Sequence, residues 1–351
     1  MVRRYSSAVP ITPSDGKLPK PPGVREVSAR AGVSRSTAAR ALSGEGYVSD
    51  AIRARVLQAA EELGYRPNEI ARALSGSQSR IVGVLLADIS NAFYAEVATG
   101  IEQVLSTSDY LMLLATSTGH VEREIRGIQT FQATRAAGML ITPVGRGRST
   151  PHELNRLAVP IVEIDHRSAG ARNDVVLLDN VHATDLATSH LLELGHRRIG
   201  LLCGADSWTS GRERYKGYVR ALERHHVLLD ETLIVRCEYD LAAATQASAQ
   251  LMRRGEFTGL VTTNEVLTYG AFLAAAEFGR RIPTDLSLVG FDDVAWMRTA
   301  VPSITTVSQP TFDIGRTAAN VMLDRLRGVE NAKRTHRLAP NLLVRASTMP
   351  V

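Results

Sequence analysis

Residues 29–42 read ARAGVSRSTAARAL. A small-residue turn, Gly32 and Val33, leads into Ser34, a good helix N-cap. In the run that follows, Ala38, Ala41 and Leu42 fall at i, i+3 and i+4, the spacing of one buried helical stripe. The spacing predicts a short helix that turns those three inward and presents Arg35, Ser36, Ala39 and Arg40. Alanines at 38 and 39 keep it slim. Two arginines on such a face are either an ordinary solvated surface or one built to meet a polyanion, and the flanking sequence decides between them.

Two further short helical patterns flank this one. Gly23 can cap the first, with Val27 and Ala31 at i, i+4. Gly44 and Gly46 end the second. Ser49 starts the third, with Asp50 favourable at its positive end, and it runs to Leu63 before Gly64 stops it. Small helices joined by a tight turn make a helix-turn-helix. The second helix of such a unit lies in the DNA major groove, where the arginine fork matches the O6/N7 acceptor pair of guanine.

Charge agrees with that assignment. The 351-residue chain carries a net +5, but residues 1–80 hold 13 Lys and Arg against 7 Asp and Glu, while the remainder holds 28 against 29. The basic excess sits entirely at the helical end, as in a nucleic-acid-binding end joined to a neutral body. Arg3, Arg4, Lys17 and Lys20 lie in residues 1–22, a Pro- and Ser-containing stretch without periodicity that reads as a disordered tail.

No apolar run approaches the roughly 18 residues of a membrane helix, and the N-terminus lacks the apolar core of a signal peptide. A cytoplasmic protein with no membrane partner is expected. Cys203 and Cys237 make neither a disulfide framework nor a metal set; Cys203 closes an apolar run and is expected to be buried.

Residues 65–80, YRPNEIARALSGSQSR, carry Pro67 at a helix start and apolar Ile70, Ala71, Ala73 and Leu74 over about two turns. A helix this short is marginal alone in water. It is expected to form only against a partner, or else to be a plain linker.

From residue 81 the pattern alternates. Apolar runs at 81–87, 110–115, 138–142, 160–164, 174–178, 198–203, 232–236, 258–262 and 286–291 interleave with helical stretches at 92–105, 121–135, 182–194, 211–225, 242–254, 266–279 and 312–327. Such alternation predicts parallel sheets covered by helices. About 270 residues exceed one comfortable sheet, so two doubly wound lobes are expected. Ligands of such sheets sit beyond the carboxyl ends of the strands. Asp88, Asp165, Asp179, Asn264 and Asp292 each follow or close a predicted strand. Singly, each would read as a turn or cap residue; together they predict a polar cleft between lobes.

These stretches together resemble the lactose repressor family of bacterial transcription factors. The carriers are VSARAGVSRSTAARALSG, the hinge YRPNEIARAL, DISNAFYAEVATGIE, HLLELGHRRIGLLCG, RERYKGYVRAL and IPTDLSLVGFDDVAWMRTAVPSITTVSQP. The resemblance covers about residues 23–350. It implies a small helix-turn-helix domain (23–66), a hinge helix and linker (67–80), and a periplasmic-binding-protein-like core (81–351). The implied N-lobe takes about 81–180 and 310–338, and the C-lobe 181–309 and 339–351.

Residue by residue, the resemblance implies that Arg35, Ser36 and Arg40 read bases, with Thr37 and Ala39 also facing the groove. Ser34 and Ser49 match phosphate-contacting helix starts. Asn68, Ala71 and Leu74 match a hinge helix that enters the minor groove as a pair, the leucine acting as an apolar wedge. Arg214 matches the ligand-clamping arginine and Asp292 the ligand-binding aspartate. Phe93, Trp208, Ser210, Tyr239 and Asn264 fall on other pocket positions, and Asp179 joins them as a strand-end candidate. Departures from the family pattern are Ala39 in place of a common serine, Glu69 beside the minor groove, and Glu265 in place of a usual aspartate.

No phosphate loop, nucleophile elbow or metal-ligand spacing supports an enzyme, and no catalytic residue, metal or cofactor is expected. His190 and His196 read as surface or capping residues. A periplasmic sugar-binding protein would share the two lobes but have no use for residues 23–76. The expected function is a homodimeric regulator, most simply a repressor, of double-stranded operator DNA, switched by a small molecule between the lobes. An arginine that only donates and a carboxylate that only accepts suit vicinal hydroxyls. That makes a sugar the first expectation, a purine or nucleoside the second, and a protein co-effector the remaining alternative.

Overall fold

The computed structural model describes residues 22–44, 46–65, 79–144, 153–154, 156–170, 172–206, 208–254, 256–329 and 332–351. The disordered tail expected at 1–22 (apart from Pro22), and the hinge expectations for Asn68, Ala71 and Leu74, lie outside them. The chain divides into two compact units, Met1–Ser77 and Gln78–Val351.

In the first unit three helices, α1 (Val24–Ala31), α2 (Arg35–Ser43) and α3 (Asp50–Glu62), enclose a small core of Val27, Ala31, Ala38, Ala41, Val48, Val56, Ala59 and Ala60. The Gly23 N–H donates to the Glu26 carboxylate at 2.8 Å to start α1, and Gly32 ends it in the left-handed region at φ 64°. The boundaries of α1 and α2 follow from cap bonds at their starts and left-handed glycines, Gly32 and Gly44, at their ends. Leu42 packs against this core but stays partly exposed.

The second unit holds two six-stranded sheets. The first contains β1 (Ile81–Leu86), β2 (Leu111–Thr116), β3 (Gly138–Ile141), β4 (Ile161–Ile164), β5 (Asp174–Leu178) and β11 (Thr335–Leu338), in the order β2-β1-β3-β4-β5-β11 and parallel throughout. The second contains β6 (Ile199–Cys203), β7 (Ile234–Arg236), β8 (Gly259–Thr262), β9 (Ser287–Phe291), β10 (Thr305–Ser308) and β12 (Asn341–Leu343), in the order β7-β6-β8-β9-β10-β12. Only the β10–β12 pairing is antiparallel. The central strands are buried on both faces, hence their unbroken apolar runs.

Helices α4 (Ala92–Ser106), α5 (Val121–Ala133) and α11 (Thr311–Leu326) cover the first sheet. Helices α6 (Asn180–Glu193), α7 (Thr209–Arg224), α8 (Leu241–Arg254) and α9 (Glu265–Glu277) cover the second, and α10 (Ala295–Thr299) follows β9. The chain crosses between lobes three times, after β5, after β10 and after β11. Helices α4 and α11 approach closely through glycines. A Cβ on Gly315 would sit 2.1 Å from the Val97 carbonyl oxygen, and one on Gly100 would sit 2.2 Å from that of Phe312.

Strands β10, β11 and β12 and helix α10 were not visible in the sequence pattern. Strand β10 is TTVS, too polar to read as core, yet its hydroxyls are bonded inside: Thr306 donates to the Asp292 carbonyl at 2.5 Å, and the Thr305 hydroxyl lies 3.1 Å from that of Thr348. The run expected to be a strand at 232–236 begins with a short 3-10 turn, Glu231–Leu233, held by Asp230. His196 is not a surface residue. It is 3% exposed, its Nδ1 lies 2.8 Å from the Thr258 hydroxyl and its Nε2 3.1 Å from the Met349 carbonyl, so it bolts the C-terminal segment to the lobe. Cys203 is buried, and burial pushes its thiol up to about 12. Among the described residues no helix is long and apolar enough to cross a membrane.

Candidate functional site

On α2, Arg35, Ser36, Ala39 and Arg40 are exposed, opposite the buried Ala38 and Ala41. The Ser34 hydroxyl accepts the Thr37 N–H at 3.1 Å and lies 2.9 and 2.8 Å from the hydroxyls of Ser36 and Thr37, so the helix start is tied by a hydroxyl cluster. Arg30 on α1 is paired with Glu62 at 2.6 Å. Neither Arg35 nor Arg40 has a carboxylate partner among the described residues, and both are exposed. Ser49 heads α3, and its hydroxyl makes no cap bond.

In the second unit a cavity of about 570 Å³ opens between the lobes, at the carboxyl ends of β1, β4, β8 and β9. The size suits a small ligand, and the location is where the strand order 2-1-3-4-5 puts the crevice in each lobe. Phe93, Tyr94, Trp208 and Tyr239 supply aromatic surface.

Arg214 on α7 is the centre of the polar wall. It is 4% exposed, its Nε donates to Asn180 Oδ1 at 2.8 Å, its Nη1 donates to the Thr263 carbonyl, and its guanidinium carbon lies 4.0 Å from the centre of the Phe291 ring. Three contacts fix the guanidinium, while Nη2 keeps no partner among the described residues.

Carboxylates surround it. Asp292 Oδ1 accepts from Gln309 Nε2 at 2.5 Å and Oδ2 from the Glu265 N–H at 3.1 Å. Burial pushes the Asp292 carboxyl up, against the pull of Arg214. Glu265 is also raised, to about 7, by burial first and by the charge of Asp292 second. On the facing lobe Asp165 accepts from the Tyr94 hydroxyl at 2.9 Å and from His166 Nε2 at 3.1 Å. Burial holds the His166 imidazole below its ordinary value, more than Asp165 raises it. Because a carboxylate only accepts, Nε2 is the donor in this contact. The His166 ring lies 4.6 Å, centroid to centroid, from the Trp208 ring across the cleft.

Nine of the ten cleft residues expected from the sequence line this cavity: Asp88, Phe93, Asp165, Trp208, Ser210, Arg214, Tyr239, Asn264 and Asp292. Asp179 does not. Its carboxylate accepts the His182 N–H at 3.1 Å as the cap of α6, so its side chain is used at the crossover rather than in the cleft. Tyr94, His166 and Gln309 also line the cleft, Tyr94 beside Phe93 and His166 beside Asp165 in sequence. Adjacency to a strand end was the available signal for His166 and Gln309, and adjacency to Phe93 for Tyr94.

The arrangement suits binding of a small polar ligand. Fixed donors from Arg214 and Asn264 face carboxylate acceptors, with aromatic surface alongside.

Residues 24–68 match the model of the lacI family of bacterial regulatory proteins, and residues 188–348 match that of a periplasmic binding protein-like domain. The chain is 31% identical over 331 residues to the HTH-type transcriptional regulator DegA of Bacillus subtilis (strain 168), covering 93% of this chain and 98% of that protein. Among solved structures, a complex of the transcriptional regulator CelR with cellobiose is 30% identical, with a TM-score of 0.72 over 93% of this chain and 99% of its own. The lac repressor dimer bound to operator and the anti-inducer ONPF is 26% identical, with a TM-score of 0.82 over 94% of this chain and 100% of its own. The chain belongs to the lacI family of bacterial regulatory proteins, effector-responsive transcription regulators that bind DNA.

Proposed function

We propose that the protein is a cytoplasmic homodimeric repressor whose grip on a pseudo-palindromic operator is released by a neutral sugar bound between the lobes. Each subunit inserts residues 34–42 into a major groove, with Arg35, Ser36 and Arg40 toward base edges, Thr37 and Ala39 beside them, and Ser34 and Ser49 toward phosphates. Asn68, Ala71 and Leu74 of the two subunits pair in the minor groove between. Leu241, Tyr269 and Leu273, exposed apolar residues on neighbouring helices α8 and α9, support a dimer face on the C-lobe.

The observation that carries the sugar reading is the charge of the cleft. Arg214 faces six carboxyl groups in its lining, those of Asp88, Asp165, Glu238, Asp240, Glu265 and Asp292. A phosphate ester or carboxylate would meet net repulsion there. A polyol donates to the acids and accepts from Arg214, and its apolar ring face suits Trp208 or Tyr239. The bound cellobiose of the CelR structure supports the same class. The four aromatic residues also favour a second reading, a nucleoside stacked between them. Calorimetry of the full chain with neutral mono- and disaccharides, their phosphate esters and nucleosides tests this. A neutral sugar that binds while its phosphate ester does not is the expected result; preferred binding of the phosphate ester overturns it.

A further inference from the structure

Helix α7 carries two adjacent residues that serve different lobes. Arg214 faces the cleft. Glu213 reaches the edge of the opposite lobe, where Arg337 on β11 holds it with both nitrogens, Nη1 at 2.9 Å and Nη2 at 2.6 Å. One side-chain amide joins the two. Asn180, wholly buried where the chain first crosses between lobes, accepts from Arg214 Nε at 2.8 Å with Oδ1 and donates with Nδ2 to Glu213 Oε2 at 3.3 Å and to the Leu178 carbonyl at 3.3 Å. Its orientation is forced: the guanidinium can only donate and the carboxylate can only accept.

We propose that Asn180 is a positioning residue that couples the cleft arginine to the inter-lobe ion pair Glu213–Arg337. An effector pulling on Arg214 then displaces Asn180 and loosens or tightens the Arg337 latch, transmitting occupancy to lobe closure. The effector half of this statement rests on the cleft reading above; the latch half does not. Two more contacts bring the first turn of α7 against the facing lobe: the Arg167 N–H donates to the Thr209 hydroxyl at 3.1 Å, and the His166 ring meets Trp208. The start of α7 is therefore the element that closing and opening must move. Coupling through one such two-state element typically spans about 5- to 150-fold in affinity.

The test needs no effector. The chain has two tryptophans, Trp208 in the cleft and Trp296, which packs on Tyr269 and Phe272 of the C-lobe. In a Trp296→Phe background Trp208 becomes the sole indole reporter of the cleft. Acrylamide quenching of Trp208 is measured in the full chain with and without Arg337→Met, a change on an edge strand outside the cleft lining. The expected result is quenching raised about twofold or more by Arg337→Met, because the start of α7 opens more often. Asn180→Ala should raise it similarly, and the double variant should go no further than either single one, since the residues act in series. Unchanged quenching in Arg337→Met, or additive effects in the double variant, overturns the coupling. If Asn180→Ala fails to fold, Asn180→Ser replaces it in the same cycle. Failure of every sugar to bind, with quenching changed as expected, contradicts the effector reading and leaves the latch standing.

Discussion

Asp165 and Asp292 occupy the same position in the two lobes. Each follows the fourth strand of its lobe, β4 or β9, with a left-handed backbone at φ 66° and 71°. Each N–H donates to the neighbouring strand, Asp165 to the Val176 carbonyl at 3.0 Å and Asp292 to that of Val307 at 2.8 Å. Both carboxylates line the cleft. A left-handed aspartate costs free energy that glycine would not, so the fold carries strain at two related points to present two acids. Asp292→Gly should therefore keep stability while abolishing the effector response. Asp292→Ala should lose the response and about 1 kcal/mol of stability relative to the glycine variant. Chemical denaturation of the pair, beside operator binding with and without effector, checks both.

Glu265 gives a pH signature. Its carboxyl is raised to about 7, by burial and then by Asp292. A carboxyl that holds its proton more tightly when folded contributes stability fully present below its unfolded pKa, about 4.3, and lost as pH rises through about 7. Glu265→Gln should remove that loss. Its denaturation midpoint should fall less between these pH values than the parent's, and parallel curves for the two proteins would refute the assignment.

Arg40 is exposed on α2 with no carboxylate partner among the described residues. Arg40→Ala should leave thermal unfolding unchanged and cost about 1–3 kcal/mol of operator discrimination. The measurement is the ratio of affinities for the operator and for a copy altered at one base pair. A uniform loss on both duplexes would instead make Arg40 a phosphate contact.

Gly315 tests the packing of the N-lobe. With 2.1 Å between its missing Cβ and the Val97 carbonyl oxygen, backbone is the obstacle and no rotamer change relieves it. Gly315→Ala should lose about 1–3 kcal/mol of stability. A melting temperature equal to the parent's would show that α4 and α11 have room to separate.

Much of the architecture was legible because its signals are local. Caps at 23 and 34, Ser49 at the head of α3, and glycines at 32, 44 and 64 bound the described N-terminal helices. Buried parallel strands such as IVGVLL announce themselves as apolar runs. Strand β10 did not, because its threonines are satisfied by Ser347, Thr348 and the Asp292 carbonyl, partners distant in sequence or supplied by backbone. The site was legible where a residue ends a strand, as at Asp165, Asn264 and Asp292. Asp179 ends one too, yet it caps α6, because which strand end faces the cleft depends on where the chain crosses between lobes. His166 and Gln309 follow strand ends too, but Trp208 and Asp292, which they touch across the cleft wall, are separated from them in sequence.

The central claim is that occupancy of the cleft changes DNA affinity, and one measurement addresses it directly. The purified full chain selects duplexes from a random library, and the selection is repeated with each neutral sugar that binds by calorimetry. The account predicts one enriched palindrome, lost in the presence of one sugar and retained with that sugar in Arg214→Ala. Enrichment of a palindrome that no cleft-bound sugar alters would contradict it.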